Sequence, residues 1–472
     1  MSGHHTSAAG PPQGAHCCHS EGSAAAKPLA WGDHATGTNA QWAARSSRAV
    51  WHPCTQMKQH ERTPPLPIAR ASGSWLYDYD GRRYLDAVSS WWVNLFGHAN
   101  PRINAALVAQ LGEIEHVMLA GFTHRPAIEL SERLSALAPP GLSHAFYASD
   151  GASATEIALK MSFHYWRQRG ARGKDRYARL AGGYHGETIG ALSVTDVALF
   201  RDAYAPLLRR HPVLSTPAVH DAAEGPMAET AVDDALAALD RFLVDHAETT
   251  PALIVEPLVQ GARGMAMYPP RYLAEARALT RRHDVHLIAD EIMTGFGRTG
   301  TMFACEQADI SPDFLCLSKG ITGGYLPLSC VLSTDDVFAA FYDDDVTRGF
   351  LHSHSYTGNA LACRAALAVL DIFRDDAVID ANRATALRWR RAAQPLAAHP
   401  RVRGFRQRGM IIAFDIDSAS EDFARTFAAE ALRRELLLRP IGATVYFMPP
   451  YTTSDAEFTL LVERTIDTLN AC

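Results

Sequence analysis

A chain of 472 residues, 47% hydrophobic and 20% charged, is long enough for two or three domains' worth of core and has the composition of an ordinary globular protein. A net charge of −6 without a basic block argues against a nucleic-acid partner, and no apolar run reaches the ~18 residues that span a bilayer. Eight scattered cysteines suit a reducing, cytoplasmic setting better than a disulfide framework.

The first 45 residues are rich in Gly, Ala, Ser and His and are expected to form a flexible tail. They carry no apolar segment of a secretory signal. The His16-Cys17-Cys18-His19 cluster fits no structural zinc spacing, so no metal site is expected. Trp51-His52-Pro53-Cys54-Thr55-Gln56-Met57 is bent or extended by its proline, and its apolar flanks predict that it packs onto something rather than standing free. Two alternating runs around Asp80-Gly81 predict a hairpin over 74–86. Trp91 and Trp92 follow in a loop before Gly97 and Pro101; such a pair reads equally as core or as the aromatic wall of a ligand site.

From 101 to 137 the pattern is helical, broken at 121–126. A short strand over 144–148 runs into Ser149-Asp150-Gly151-Ala152-Ser153-Ala154 and a helix over 155–169. A strand, a small-residue turn and a helix start form an anion site, because free N–H groups and the helix dipole converge there; many capped helices share the pattern. A strand over 177–180 leads to Gly182-Gly183-Tyr184-His185-Gly186. Either ring there, Tyr184 or His185, could stack on a planar ligand. The strand from Ala252 ends in Glu256, a carboxylate that needs a partner if buried. Pro269-Pro270 opens a helix that delivers the apolar run Val285–Ala289, ending in Asp290.

A second apolar run, Phe314–Leu317, ends at Ser318-Lys319-Gly320. The spacing suits neighbouring parallel strands, and reactive groups gather at strand carboxyl ends. Taken singly, Asp290 and Lys319 read as a helix cap and a surface lysine. Together they are what pyridoxal phosphate chemistry requires, a Schiff-base lysine and an aspartate for the pyridinium nitrogen. The glycine-rich loop 295–300 has the wrong order for a nucleotide fingerprint. A polar loop over 350–359, a helix from Ala360 past Phe373, and helices near 376–398 and 420–437 with strands near 411–414 and 444–448 complete the chain.

From Ala49 onward the chain resembles the fold-type I, class-III aminotransferases. The resemblance is carried by Ala289-Asp290-Glu291-Ile292-Met293-Thr294-Gly295-Phe296-Gly297-Arg298-Thr299-Gly300, Ser311-Pro312-Asp313 and Ser318-Lys319-Gly320. It implies an α/β fold: a large domain (111–365) with a mostly parallel seven-stranded sheet flanked by helices, and a small α+β domain built from both chain ends (46–110 and 366–472). It implies pyridoxal 5'-phosphate as cofactor, with Lys319 and Asp290 catalytic and Gly151, Ala152, Tyr184, His354 and Ser355 also on the cofactor. The loop holding Ser355 would come from a second subunit, so a homodimer with shared sites follows. Trp51–Thr55, Ser89–Trp92, Arg439-Pro440 and Tyr446–Tyr451 look like the branch that moves an amino group from S-adenosylmethionine to 8-amino-7-oxononanoate in biotin synthesis, by ping-pong kinetics. In that branch Cys54, Trp91, Trp92, Tyr184, Lys319, Ser353 and Tyr446 would line the substrate cleft, and Arg439 would take the carboxylate of the oxo acid. The chain has Cys54 where an aromatic residue is frequent, Ala152 where Ser is common, and Ser355 where Thr is usual. Lysine, ornithine, 4-aminobutyrate or an ω-amino acid as donor remain alternatives within the family.

Overall fold

The computed structural model describes residues 37–220, 225–417 and 419–472. Its centre is a seven-stranded sheet. We number its strands β1 (Leu142–Ala148), β2 (Ala178–Leu180), β3 (Val213–Leu214), β4 (Ala252–Val255), β5 (His286–Asp290), β6 (Phe314–Leu317) and β7 (Ser329–Thr334). The spatial order is β1-β7-β6-β5-β4-β2-β3. β5 pairs parallel with both β4 and β6, and only β7 runs against its neighbours. β4, β5 and β6 are buried along their whole length, which explains their unbroken apolar sequences: helices cover both faces, so neither face needs polar residues. The flanking helices include α1 (Gly151–Gln168), α2 (Arg271–Arg282) and α3 (Ala360–Asp375).

Three smaller sheets lie outside this one, the shortest pairing Val259–Gln260 with Ala266–Met267. A four-stranded sheet joins Ile68–Ser72, Trp75–Asp78 and Arg83–Asp86 to Leu436–Leu437 from the far end of the chain. Leu436 and Leu437 pair with Leu85 and Asp86. The expected hairpin is present, with Gly81 at φ 84° in its turn, a backbone region that glycine enters without strain. Val402–Arg408, Ile411–Ile416 and Thr444–Phe447 form an antiparallel sheet, and the chain closes with a helix over Asp455–Ala471.

Several details differ from the sequence reading. A helix over Asn39–Ala49 crosses the expected tail boundary at 45; residues 1–36, with the His16–His19 cluster, lie outside the described residues. α1 starts at Gly151, not 155, because Asp150 caps it: the Asp150 carboxylate accepts the Ser153 N–H at 2.9 Å. Trp51, expected to pack, is 84% exposed on the single chain. The described cysteines are free thiols, and no helix among the described residues is long and apolar enough to cross a membrane.

Candidate active site

Asp290 ends β5, and Lys319 follows the end of β6. In register Asp290 faces Cys316, so both reactive residues emerge from the same edge of adjacent parallel strands. Asp290 is buried. One carboxylate oxygen lies 2.7 Å from His185 Nδ1 and the other accepts the Ile292 N–H at 3.1 Å. His185 is itself fixed from both sides. Its N–H donates to Thr195 Oγ1 at 3.0 Å, and its carbonyl accepts from Thr155 Oγ1 on α1 at 2.9 Å. The two rings that the sequence left open are thereby separated: His185 stands behind Asp290, while Tyr184 is half-buried facing outward.

Lys319 sits in the left-handed region at φ 46°, where a non-glycine side chain is strained and where strain clusters at functional sites. Burial lowers the pKa of its amine, and Asp290 and Glu256 oppose that shift. The amine lies 4.7 Å from the Trp92 ring centroid. Trp92 is buried, donating its indole N–H to Tyr446 Oη at 3.0 Å. Its neighbour Trp91 faces outward with the Arg439 guanidinium 4.5 Å above its ring, a cation–π distance. Ser89, Ser90, Trp91 and Trp92 all have positive φ, at 50°, 47°, 74° and 73°. This single left-handed turn costs about 1–2 kcal/mol per residue. It aims one indole at Lys319 and the other at Arg439.

Glu256, at the end of β4, finds the partners that its burial demands: it accepts the Tyr184 N–H at 3.0 Å and the Gly261 N–H at 2.9 Å. Burial pushes its carboxyl up to about 7; His185 pulls it down and Asp290 pushes it further up. The Tyr184 hydroxyl donates to Glu187 at 2.9 Å, and burial followed by Glu187 drives the phenol far upward. Cys54, exposed and at φ 47°, feels both Glu187, which raises its thiol, and Arg439, which lowers it, behind the larger effect of burial. Cys54, Tyr184, Glu187 and Arg439 therefore lie near one another, with Arg439 against Trp91. Glu187 was not singled out from sequence, where an isolated glutamate beside a glycine turn carries no signal.

These residues fit a phosphorylated pyridine. At the head of α1 the Asp150 carboxylate accepts the Ser153 N–H and its carbonyl accepts the Ala154 N–H, leaving the Gly151 and Ala152 N–H groups without intrahelical acceptors at the positive end of the helix dipole. The backbone there admits no bulk. A Cβ on Gly151 would stand 3.0 Å from Ile292, and one on Gly186 would stand 2.6 Å from the Ala152 Cβ. A buried carboxylate for a ring nitrogen, a desolvated amine and an anion-binding helix start are the three contacts such a cofactor needs.

Ser353, His354 and Ser355 lie elsewhere in the chain. Ser355 offers its carbonyl to His116 Nε2 at 2.7 Å, and His354 shares hydrogen bonds with Thr357. No hydrogen bond, ion pair or ring contact among the described residues ties 353–355 to Lys319, Asp290 or the head of α1 of their own chain.

The family model for aminotransferase class-III matches residues 56–469. The adenosylmethionine-8-amino-7-oxononanoate aminotransferase of Helicobacter pylori is 45% identical over 428 residues, 89% of this chain and 96% of that one. The crystal structure of the enzyme of the same name from Methanocaldococcus jannaschii superposes with a TM-score of 0.86 at 33% identity, covering 92% of this chain and 99% of that one. An amine transaminase from an uncultivated Pseudomonas species, in its pyridoxal-phosphate-bound form, superposes with a TM-score of 0.84 at 32% identity, covering 90% and 99%. The chain belongs to the class-III aminotransferases and works with pyridoxal phosphate.

Proposed function

We propose that the protein transfers an amino group from S-adenosylmethionine to 8-amino-7-oxononanoate, giving 7,8-diaminononanoate for biotin synthesis. The observation that carries this reading is the paired-tryptophan turn, which faces Lys319 on one side and Arg439 on the other. It sits in a chain 45% identical to a relative named for those two substrates. A wall of two indoles gives a long apolar contact with little entropy cost, suited to a nine-carbon acid. Arg439 at its outer end offers a bidentate partner for the carboxylate.

Bound pyridoxal phosphate supplies an electron sink for the carbanion formed when the substrate's Cα proton leaves. In this reading Asp290, held by His185, keeps a positive ring nitrogen opposite it. The Lys319 amine, neutral more readily because it is desolvated, is both the attachment point and the base that carries the proton. The Gly151 and Ala152 N–H groups hold the phosphate, and Tyr184 covers the ring. Cys54, Tyr446 and the two tryptophans bound the substrate. One cleft serves donor and acceptor in turn, which gives ping-pong kinetics.

We assign His354 and Ser355 to the cofactor site of a second subunit, and Ser353 to the substrate cleft beside it. Their loop makes no described hydrogen bond, ion pair or ring contact with its own site. It stands among exposed apolar residues, with Met118 at 55%, Phe122 at 57%, Leu351 at 75% and Tyr356 at 64%, a patch that a homodimer would cover. The reading also takes 46–110 with 366–472 as the small domain, 111–365 as the large one, and the cytoplasm as the setting.

The test is a half-reaction. The protein loaded with pyridoxal phosphate is given S-adenosylmethionine, lysine, ornithine or 4-aminobutyrate separately, without acceptor. The cofactor band should bleach with S-adenosylmethionine alone and return on adding 8-amino-7-oxononanoate. Bleaching by another of these amines and not by S-adenosylmethionine would overturn the substrate assignment.

A further inference from the structure

Asp86 is wholly buried at the end of the Arg83–Asp86 strand, yet nothing in the proposed reaction uses it. One of its oxygens accepts the Ser90 N–H at 2.9 Å. The other accepts the Ser90 hydroxyl at 2.7 Å and lies 2.9 Å from His98 Nε2. His98 Nδ1 in turn faces the Asn94 side-chain amide at 3.2 Å. The carboxylate thus grips both ends of one residue, Ser90, in the middle of the left-handed turn Ser89–Trp92. A second brace comes from Ser89, whose hydroxyl donates to the Met448 carbonyl at 2.7 Å.

A run of left-handed non-glycine residues persists only where surrounding contacts over-determine it. Here the two bonds to Asp86 are charge-assisted and their acceptor is wholly buried, which strengthens them even though Ser90 itself is exposed. Release of Ser90 would let the turn relax towards ordinary dihedrals, and relaxation would swing both indoles. Trp92 would leave the Lys319 amine, and Trp91 would leave Arg439.

We infer that Asp86, acting through Ser90 and oriented by His98, is a positioning residue that sets substrate affinity by locking Trp91 and Trp92 into the left-handed turn. It touches neither cofactor nor substrate. The inference rests on the proposed function for the identity of the substrates, though not for the existence of the lock.

The test uses full-length holoenzyme carrying Ser90→Ala or Asp86→Asn. Ser90 is exposed, so its variant should fold even if the buried Asp86 variant does not. Both should bind pyridoxal phosphate and melt like the parent. Their near-UV circular dichroism, which reports on tryptophan packing, should change. KM for donor and acceptor should rise about tenfold, the weight of one lost charge-assisted hydrogen bond, and rise more than kcat falls. Unchanged KM and dichroism in the Ser90 variant would overturn the inference. So would an equal loss of cofactor binding, melting temperature and kcat, which marks a general structural role. The parent is assayed beside them on S-adenosylmethionine and on 4-aminobutyrate. A parent active only on the latter fails the substrate assignment, and KM for that amine then decides the role of Asp86.

Discussion

His185 Nδ1 stands 2.7 Å from the Asp290 carboxylate, and both groups are buried. The pair spans two strand ends, since His185 follows β2 and Asp290 ends β5. Bonded to Thr195 and Thr155 as well, His185 leaves Asp290 one orientation in which to meet a ring nitrogen.

Replacing Asp290 with Asn should therefore leave pyridoxal phosphate bound and cost transamination about 100-fold or more, the usual weight of a preorganised charge at a reacting centre. The check is kcat beside the cofactor absorbance. Unchanged turnover would remove Asp290 from its assigned role.

Arg439→Ala should raise KM for 8-amino-7-oxononanoate about 10- to 100-fold, corresponding to the 1.5–3 kcal/mol of hydrogen bonds to a charged group. Cofactor loading should not change. Steady-state kinetics at varied acceptor concentration measures it.

Glu256 makes a pH-dependent contribution of definite sign. Its carboxyl titrates near 7 in the folded chain against 4.5 as the ordinary value. Between those values the folded state holds a proton that the unfolded state has released. Stability from this group is therefore highest below about pH 4.5 and falls as pH rises to about 7, by about 3 kcal/mol at 1.36 kcal/mol per unit. Glu256→Gln removes that dependence. On the cofactor-free protein, the difference in melting temperature should move in favour of the variant between about pH 5 and pH 8. Glu291, also held up to about 7 by burial, is common to both proteins and cancels.

Gly186→Ala should weaken binding of pyridoxal phosphate by about tenfold or more. The added methyl collides with Ala152 at 2.6 Å and the residue keeps a φ of 123°, a strain of about 1–3 kcal/mol set against the head of α1. Titration of the cofactor-free variant with pyridoxal phosphate, followed by absorbance, tests this.

The backbone of the site was legible because β4, β5 and β6 are short apolar runs with a charged residue at the end or within two positions of it, and burial on both faces leaves unbroken apolar runs. The small-residue turn before α1 was legible, but the helix start was read at 155 and not at Gly151, because Ser149, Asp150 and Ser153 are all residues able to cap a helix. The left-handed turn was not. Ser89 to Trp92 contain no glycine, and the conformation is imposed from Asp86, Met448 and the packing of the indoles. Tyr184 and His185 could not be told apart because adjacent residues at a strand end share one local sequence. Val213–Leu214 and Leu436–Leu437 are too short to show a period.

The pairing of Leu436 and Leu437 with Leu85 and Asp86 has a consequence for biosynthesis. The strand that carries Asp86 towards the tryptophan turn is synthesised long before the strand that leads to Arg439. A nascent chain emerging from the ribosome can assemble the central sheet with Asp290 and Lys319 while its substrate cleft still lacks one wall. Release of the last segment closes that wall, so a product terminated before Leu436 would keep Lys319 and lack Arg439 and Tyr446, two of the residues proposed to select its substrate.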